Sequence, residues 1–166
     1  MKRYFFLSIL VPSACNQPHD KSKKPQAEEI FHTTTLPSDS LEKGVSYLSV
    51  FSEIYSNDEY RTHSLITTVS LRNTSASDTL YVSEANYYNT GGNLLKNYFK
   101  ETIYLAPLET GHIVIPEADK DGGSGANFLF KWHIRPGAPE PLFEAVMIST
   151  YGQQGLSFIT TGKRLE

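Results

Sequence analysis

The sequence predicts an all-β protein, an antiparallel β-sandwich of about eight strands that is immunoglobulin-like in outline. The clearest observation is the alternation in 128–134, where Phe128, Phe130, Trp132 and Ile134 are separated by single residues and share one face. Two further observations agree. Clusters of turn-forming residues separate the apolar segments, and no ten-residue stretch has the apolar spacing of an amphipathic helix. Because antiparallel strands need only short connections, a sandwich is expected, with a small closed β-barrel as the alternative.

The individual strands are predicted from segments rich in β-branched and aromatic residues, which favour extended backbone. Gly91-Gly92 between two such segments predicts a tight hairpin, because glycine readily adopts positive φ. In chain order, the predicted strands are 45–55, 65–73, 79–89, 93–100, 102–105, 112–115, 128–134, 143–150 and 156–161.

Residues 1–14 have the layout of a secretory signal peptide. Lys2 and Arg3 form a basic start, an apolar run follows over 4–11, and small residues precede Cys15. The run of eight residues would span about 12 Å as a helix, whereas a bilayer core is about 30 Å thick. The segment is therefore predicted to be an export signal and not a transmembrane anchor.

The tripeptide Ser13-Ala14-Cys15 resembles the lipobox of bacterial lipoproteins, in which a lipid alkylates the cysteine and the cysteine becomes the mature N-terminus. That family usually has leucine three residues before the cysteine, where this chain has Pro12. The sequence contains one cysteine, so an internal disulfide is excluded, and lipidation gives this odd cysteine a role. The resemblance implies an exported protein that is held to a membrane by lipid on Cys15 and faces the periplasm or the cell exterior.

The remaining chain divides into a polar tether and one domain. Residues 15–43 are rich in charged residues and proline and have little apolar periodicity, which predicts a flexible tether. Residues 44–166 carry the predicted strands and form the β-sandwich domain. The formal net charge of −3 and the absence of a basic cluster argue against nucleic acid as a partner.

Three stretches in the predicted domain are familiar in their order and spacing: Gly-Gly-Ser-Gly-Ala-Asn-Phe at 122–128, Glu-Ala-Val-Met at 144–147 and Gly-Gln-Gln-Gly-Leu-Ser-Phe at 152–158. Together they resemble the bacterial family called domain of unknown function 3124, over roughly 44–166. Members of that family look like exported or membrane-associated proteins. The resemblance implies no activity, cofactor or catalytic residue.

Two glycine-dense loops carry candidate binding residues, namely Ser124 and Asn127 in the first loop and Gln153 and Gln154 in the second. Loops at the end of a sandwich commonly carry binding groups, so the four side chains are predicted to form one polar site. The alternative is that both loops are scaffold, since tight turns demand positive φ and glycine supplies it.

The carboxylates Glu117, Asp119 and Asp121 alternate before Gly122, as in the first half of an EF-hand loop. Ca²⁺ prefers several oxygen ligands that converge on a turn, which makes these residues a candidate metal site. Phe128 stands where such a loop would have its bidentate glutamate. The alternative is a solvated strand end.

Glu144 is a fourth candidate carboxylate, because it precedes an apolar strand. It is expected either at the exposed start of that strand or, if buried, beside Arg72 or Lys131 as a partner. Three histidines of the predicted domain lie on separate predicted strands, so surface or capping roles are expected in preference to a metal site. They are His63, His112 and His133.

Two hypotheses of different class follow. In the first, the protein is a non-enzymatic module of the cell envelope that binds an envelope protein or a small ligand and needs no cofactor. In the second, it is an enzyme or metal-dependent protein, with a Ca²⁺-type site built on the carboxylates at 117–121 and 144.

Overall fold

The computed structural model describes residues 31–150 and 155–165, which contain thirteen strands and one 3₁₀ turn, Gly123–Gly125. None of the described segments is a helix with the length and apolar character needed to cross a membrane. In chain order the strands are β1 (His32–Thr33), β2 (Glu42–Ser49), β3 (Glu53–Ser56), β4 (Asp58–Ser64), β5 (Ile66–Arg72), β6 (Leu80–Tyr88), β7 (Leu94–Asn97), β8 (Ile103–Leu105), β9 (Thr110–Ile115), β10 (Asn127–Ile134), β11 (Leu142–Ser149), β12 (Leu156–Thr161) and β13 (Lys163–Arg164).

Two antiparallel sheets form the layers of a sandwich. The seven-stranded sheet has the order β1-β8-β6-β10-β2-β13, and β7 also pairs with β6. The four-stranded sheet has the order β12-β11-β5-β9, while β3 and β4 form a separate hairpin. The all-β sandwich predicted from the sequence is confirmed, and the sheets of the described residues stay open instead of closing into a barrel.

The core lies between the two sheets, and the alternating residues of β10 form its centre. Phe128, Phe130 and Trp132 are fully buried, as their spacing predicted. The ring of Phe130 stacks on that of Phe143 of β11, with 4.3 Å between the ring centroids. This contact joins the seven-stranded and four-stranded sheets, because β10 and β11 belong to different layers.

The predicted strand 45–55 is two strands in the structure, and this prediction was wrong in that detail. The chain leaves the seven-stranded sheet after β2. There Ser52 donates its backbone N–H to the carbonyl of Gly123, and its own carbonyl accepts from Leu65 N. The hairpin strand β4 was not predicted at all. It is polar and largely exposed, so its sequence has no apolar alternation.

The folded unit includes residues that the sequence assigned to the tether. Strand β1 pairs with β8, and the ring of Phe31 packs edge-on against that of Phe99 at 4.8 Å between the centroids. A Cβ on Gly111 would overlap the Phe31 ring, so the glycine makes room for this contact. A two-residue strand is too short to show a period, which is why the sequence gave no signal for it.

Candidate functional site

A β-bulge interrupts the outer face of the seven-stranded sheet where β6 passes β10. Lys131 pairs with Glu84 and Trp132 pairs with Val82, so Ser83 has no Cα partner on β10. A bulge places one extra residue in a strand and changes the direction of its side chain. Here the extra residue is Ser83, and its hydroxyl is directed at His133.

The Ser83 hydroxyl joins two groups of β10. Its Oγ lies 3.3 Å from the carbonyl oxygen of Lys131 and 3.1 Å from Nε2 of His133. Because a carbonyl only accepts, Ser83 is the donor in its contact with Lys131. The direction of its hydrogen bond with His133 depends on the tautomer of the ring. In either direction this hydrogen bond orients the imidazole.

The bulge opens a cleft of about 360 Å³ on the outer face. Its lining residues are Lys43, Gly44, Val45, Ser83, Lys131, Trp132 and His133. A second cleft lies on the β1 side and is lined by Thr33, Thr34, Thr35, Leu36, Ser83, Lys100, Glu101 and Thr102. Ser83 belongs to both linings, so the two clefts meet there. We call the pair of clefts the bulge groove.

Charges are unevenly placed around the first cleft. Lys131 Nζ lies 2.8 Å from Glu84 Oε1. This hydrogen bond is the largest cause that lowers the pKa of Glu84 and raises that of Lys131. Lys43 is the direct cross-strand neighbour of His133, and no ion pair joins it to an acidic side chain of the described residues. Burial, reinforced by the charge of Lys43, lowers the pKa of His133 and so favours the neutral ring.

The first glycine-dense loop is packed tightly against β6 and its following turn. The Thr90 hydroxyl donates to the Gly122 carbonyl at 3.0 Å and accepts from Gly125 N at 2.9 Å. A Cβ on Gly122 would overlap the Tyr87 hydroxyl, and Gly123 has a φ of +71°. The packing and the backbone geometry of this loop are sufficient reason for its glycines.

The candidate binding residues of the two loops are only partly described. Ser124 and Asn127 are half-buried at the end of the sandwich where β10 begins. Phe158 of β12, the strand that follows the second loop in the chain, packs on Phe51 with 5.6 Å between the ring centroids. Gln153 and Gln154 themselves lie outside the described residues, as does the candidate lipidation site Cys15.

The candidate metal-site carboxylates lie on a surface turn. Glu117 and Asp121 are exposed, and Asp119 Oδ1 accepts from the backbone N–H of Asp121 at 3.1 Å. Among the described residues, no group of three or more His, Cys, Asp or Glu side chains is arranged to hold a metal ion. Glu144 is a half-buried residue on the outer face of the four-stranded sheet, where Arg72 Nε donates to it at 3.0 Å.

The comparison with family models gives one match, the family described as "Protein of unknown function (DUF3124)", over residues 43–165. The chain belongs to this family. No curated protein matches the DUF3124 chain. Among solved structures, it is similar to the crystal structure of Thermotoga maritima 1070 at 7% identity and a TM-score of 0.42, over 72% of this chain and 92% of that one.

The bulge groove of the DUF3124 domain was missed from the sequence, although one signal was readable. Leu80 and Val82 point inward two residues apart, but the next inward residue is Ala85, three positions on. A step of three in a period-two strand indicates an extra residue. The signal locates the bulge, but it does not show that Lys43 and His133 lie beside it.

Proposed function

We propose that this DUF3124 protein is an exported, membrane-tethered lipoprotein whose domain is a non-enzymatic binding module of the cell envelope, with the bulge groove as its ligand site. The observation that carries the proposal is the groove itself. Its cleft of about 360 Å³ is within the size range of small-ligand pockets, which is about 300–1,000 Å³. The serine hydroxyl and the histidine ring that line this cleft are hydrogen-bonded to each other at 3.1 Å, which orients the ring.

The position of β1 supports a site close to the membrane. The described chain enters the domain at Phe31, and Thr33 and Leu36 line the β1 side of the groove. Cys15 to residue 30 comprises 16 residues, which reach at most about 55 Å when fully extended. A lipid on Cys15 would therefore keep the groove within that distance of the bilayer surface.

The anchoring is tested by Cys15→Ser in the native host. We expect the wild-type protein in the membrane fraction with a lipid-modified N-terminal Cys15, and the variant in the soluble fraction or retained as an uncleaved precursor. Fractionation followed by mass spectrometry of the mature N-terminus measures both. Ser83→Ala keeps the cysteine and should remain in the membrane fraction. An unmodified Cys15 in the mature wild-type protein, or cleavage elsewhere, would overturn the proposed anchor.

The ligand site is tested by native mass spectrometry of protein released from envelopes. We expect a bound small molecule on the wild-type protein and its loss in Val45→Trp, because the larger side chain occupies the cleft. Asn127→Ala is the matched control. It lies six residues before His133 on β10, about 20 Å away, and should keep the ligand. If the ligand is lost only in Asn127→Ala, the ligand site lies at the glycine-dense loops and not in the groove. If neither the wild type nor any variant carries a bound molecule, the proposed ligand site is overturned.

A further inference from the structure

The chemistry of the first cleft identifies the class of ligand, on the basis of the proposed function. We propose that this cleft binds an oxyanion, the phosphate or carboxylate group of a larger molecule, between Lys43, Lys131 and His133. Three features of the cleft support this ligand class: its charge, its hydrogen-bond donors, and its histidine.

The cleft is locally positive on a protein of net charge −3. Lys43 and Lys131 both line it, and Glu84 pairs with Lys131 alone. The nearby Arg164 does not add to this charge, because its guanidinium is held by the carboxylates of Glu42 and Glu140. One lysine charge, that of Lys43, therefore remains uncompensated by any ion pair among the described side chains.

The donors of the cleft suit an oxyanion better than a neutral ligand. An ammonium group can only donate, so Lys43 and Lys131 together demand acceptors. The Ser83 hydroxyl already has two partners, the Lys131 carbonyl and Nε2 of His133. The other ring nitrogen, Nδ1, is a donor whenever the ring is protonated. A phosphate or carboxylate therefore offers acceptors to both lysines and to the protonated ring.

The histidine couples anion binding to protons. The groups around its ring come from three strands: Lys43 from β2, Tyr81 and Ser83 from β6, and Lys131 from β10 itself, with Glu84 beyond Lys131. Burial and Lys43 lower the pKa of His133 in the empty cleft. The negative charge of a bound anion favours the protonated ring and raises the pKa of His133, so binding takes up a proton. For an anion whose own charge is constant in this range, affinity should therefore increase as pH falls through the titration of His133 and should level off once the ring is protonated with and without the anion.

Calorimetry with inorganic phosphate on the full mature chain tests the proposal, with Lys43→Gln and Lys163→Gln as a matched pair. Both lysines are exposed on the seven-stranded sheet, but Lys163 is on β13, outside the groove. Removing one charged hydrogen bond should weaken phosphate binding by about tenfold or more in Lys43→Gln. Lys163→Gln should bind within about twofold of the wild type, since a distant exposed charge is screened by salt. Equal weakening in both variants would overturn the proposal.

The histidine provides a second measurement. The ring signals of His133, assigned with His133→Gln, are followed by NMR against pH. We expect the midpoint of the His133 signals to rise when phosphate is added. A His133 midpoint that does not move with saturating phosphate would overturn the proposal.

Two further probes identify the source of the anion. Acetate in place of phosphate tests for a carboxylate ligand, and vesicles containing phosphatidylglycerol test for a lipid headgroup. Binding to any of these probes that is lost in Lys43→Gln supports the oxyanion class. If none of them binds while native mass spectrometry still shows a ligand that depends on Val45, the oxyanion inference fails and the proposed function stands. If that ligand is also absent, the proposed ligand site fails as well.

Discussion

The packing of Trp132 explains which residue types occupy three neighbouring positions. Its Nε1–H donates to Ser46 Oγ at 2.9 Å, so the buried indole has its one polar group satisfied. Gly44 lies opposite on β2, where any Cβ would overlap the ring. The guanidinium of Arg164 lies 5.1 Å from the ring centroid, a distance suited to a cation–π contact. The apolar ring is thus enclosed by a glycine, a hydroxyl and a cation.

Trp132→Ala should lower the free energy of unfolding by about 3–5 kcal/mol, because it leaves a large cavity and removes the partner of Ser46. That is a large part of the about 5–15 kcal/mol typical of a domain. Denaturant unfolding measures it. Tyr47→Ala, at an exposed position of the same sheet, is the control and should change the value far less. A native fluorescence maximum typical of exposed indole would contradict the burial on which this prediction rests.

The burial of single residues was predictable from the sequence where a strand has a clear alternation of apolar residues. The burial of Phe128, Phe130 and Trp132 follows from period-two spacing alone, and the structure confirms it. The pairing of Glu144 was left open between an exposed position and a partner such as Arg72 or Lys131. The structure selects Arg72 because β11 lies beside β5, whereas Lys131 is in the other sheet and pairs with Glu84.

At the scale of elements, β1 is a two-residue strand at the edge of its sheet and is attached by a few contacts. It pairs with β8 over two residues, Thr34 N donates to the Thr102 carbonyl at 2.8 Å, and Phe31 supplies the apolar contact. Few contacts imply that such an element opens with a lower free energy than the core strands. This matters for the proposed function, in which β1 connects the proposed tether to the groove.

Phe31→Ala should detach β1 while the core remains folded. The side chain is half-buried, so we expect a local loss of about 1–2 kcal/mol from the removed apolar contact. Hydrogen exchange should show faster exchange at the amide of Thr34 and little change in β10. Leu36→Ala, in the same segment but at an exposed position, serves as the control. Equal acceleration at all amides would show instead that β1 is required for global stability.

Element boundaries were predictable where apolar alternation is strong and were missed where it is weak. The hairpin after Tyr88 was predicted from its glycines, and Tyr88 does pair with Leu94. The exposed strand β4 and the two-residue strands β1 and β13 contain no period that local reasoning can detect. Such strands form because a neighbouring edge offers hydrogen-bond partners, which is a property of the assembled sheet.

At the scale of the whole molecule, the seven-stranded sheet brings together groups that are far apart in the chain. Strand β10 lies between β6 and β2, so Ser83, His133 and Lys43 meet although they come from three separate parts of the sequence. The groove then lies on the same sheet as β1, through which the chain enters the domain. The entry point of the described chain and the groove therefore belong to the same layer of the sandwich, which is the arrangement that the proposed function uses.

The sequence by itself determined the family, the all-β class and the inward face of the central strand, because these depend on motifs and on a period that each segment carries alone. Only the tertiary structure decided which strands are neighbours, where the bulge directs Ser83, and that residues 31–33 join the fold. The physical reason is that strand order depends on how two sheets pack around a shared core, and this packing involves residues that are far apart in the sequence. The charged and polar groups of the groove face outward, where local patterning does not restrict them.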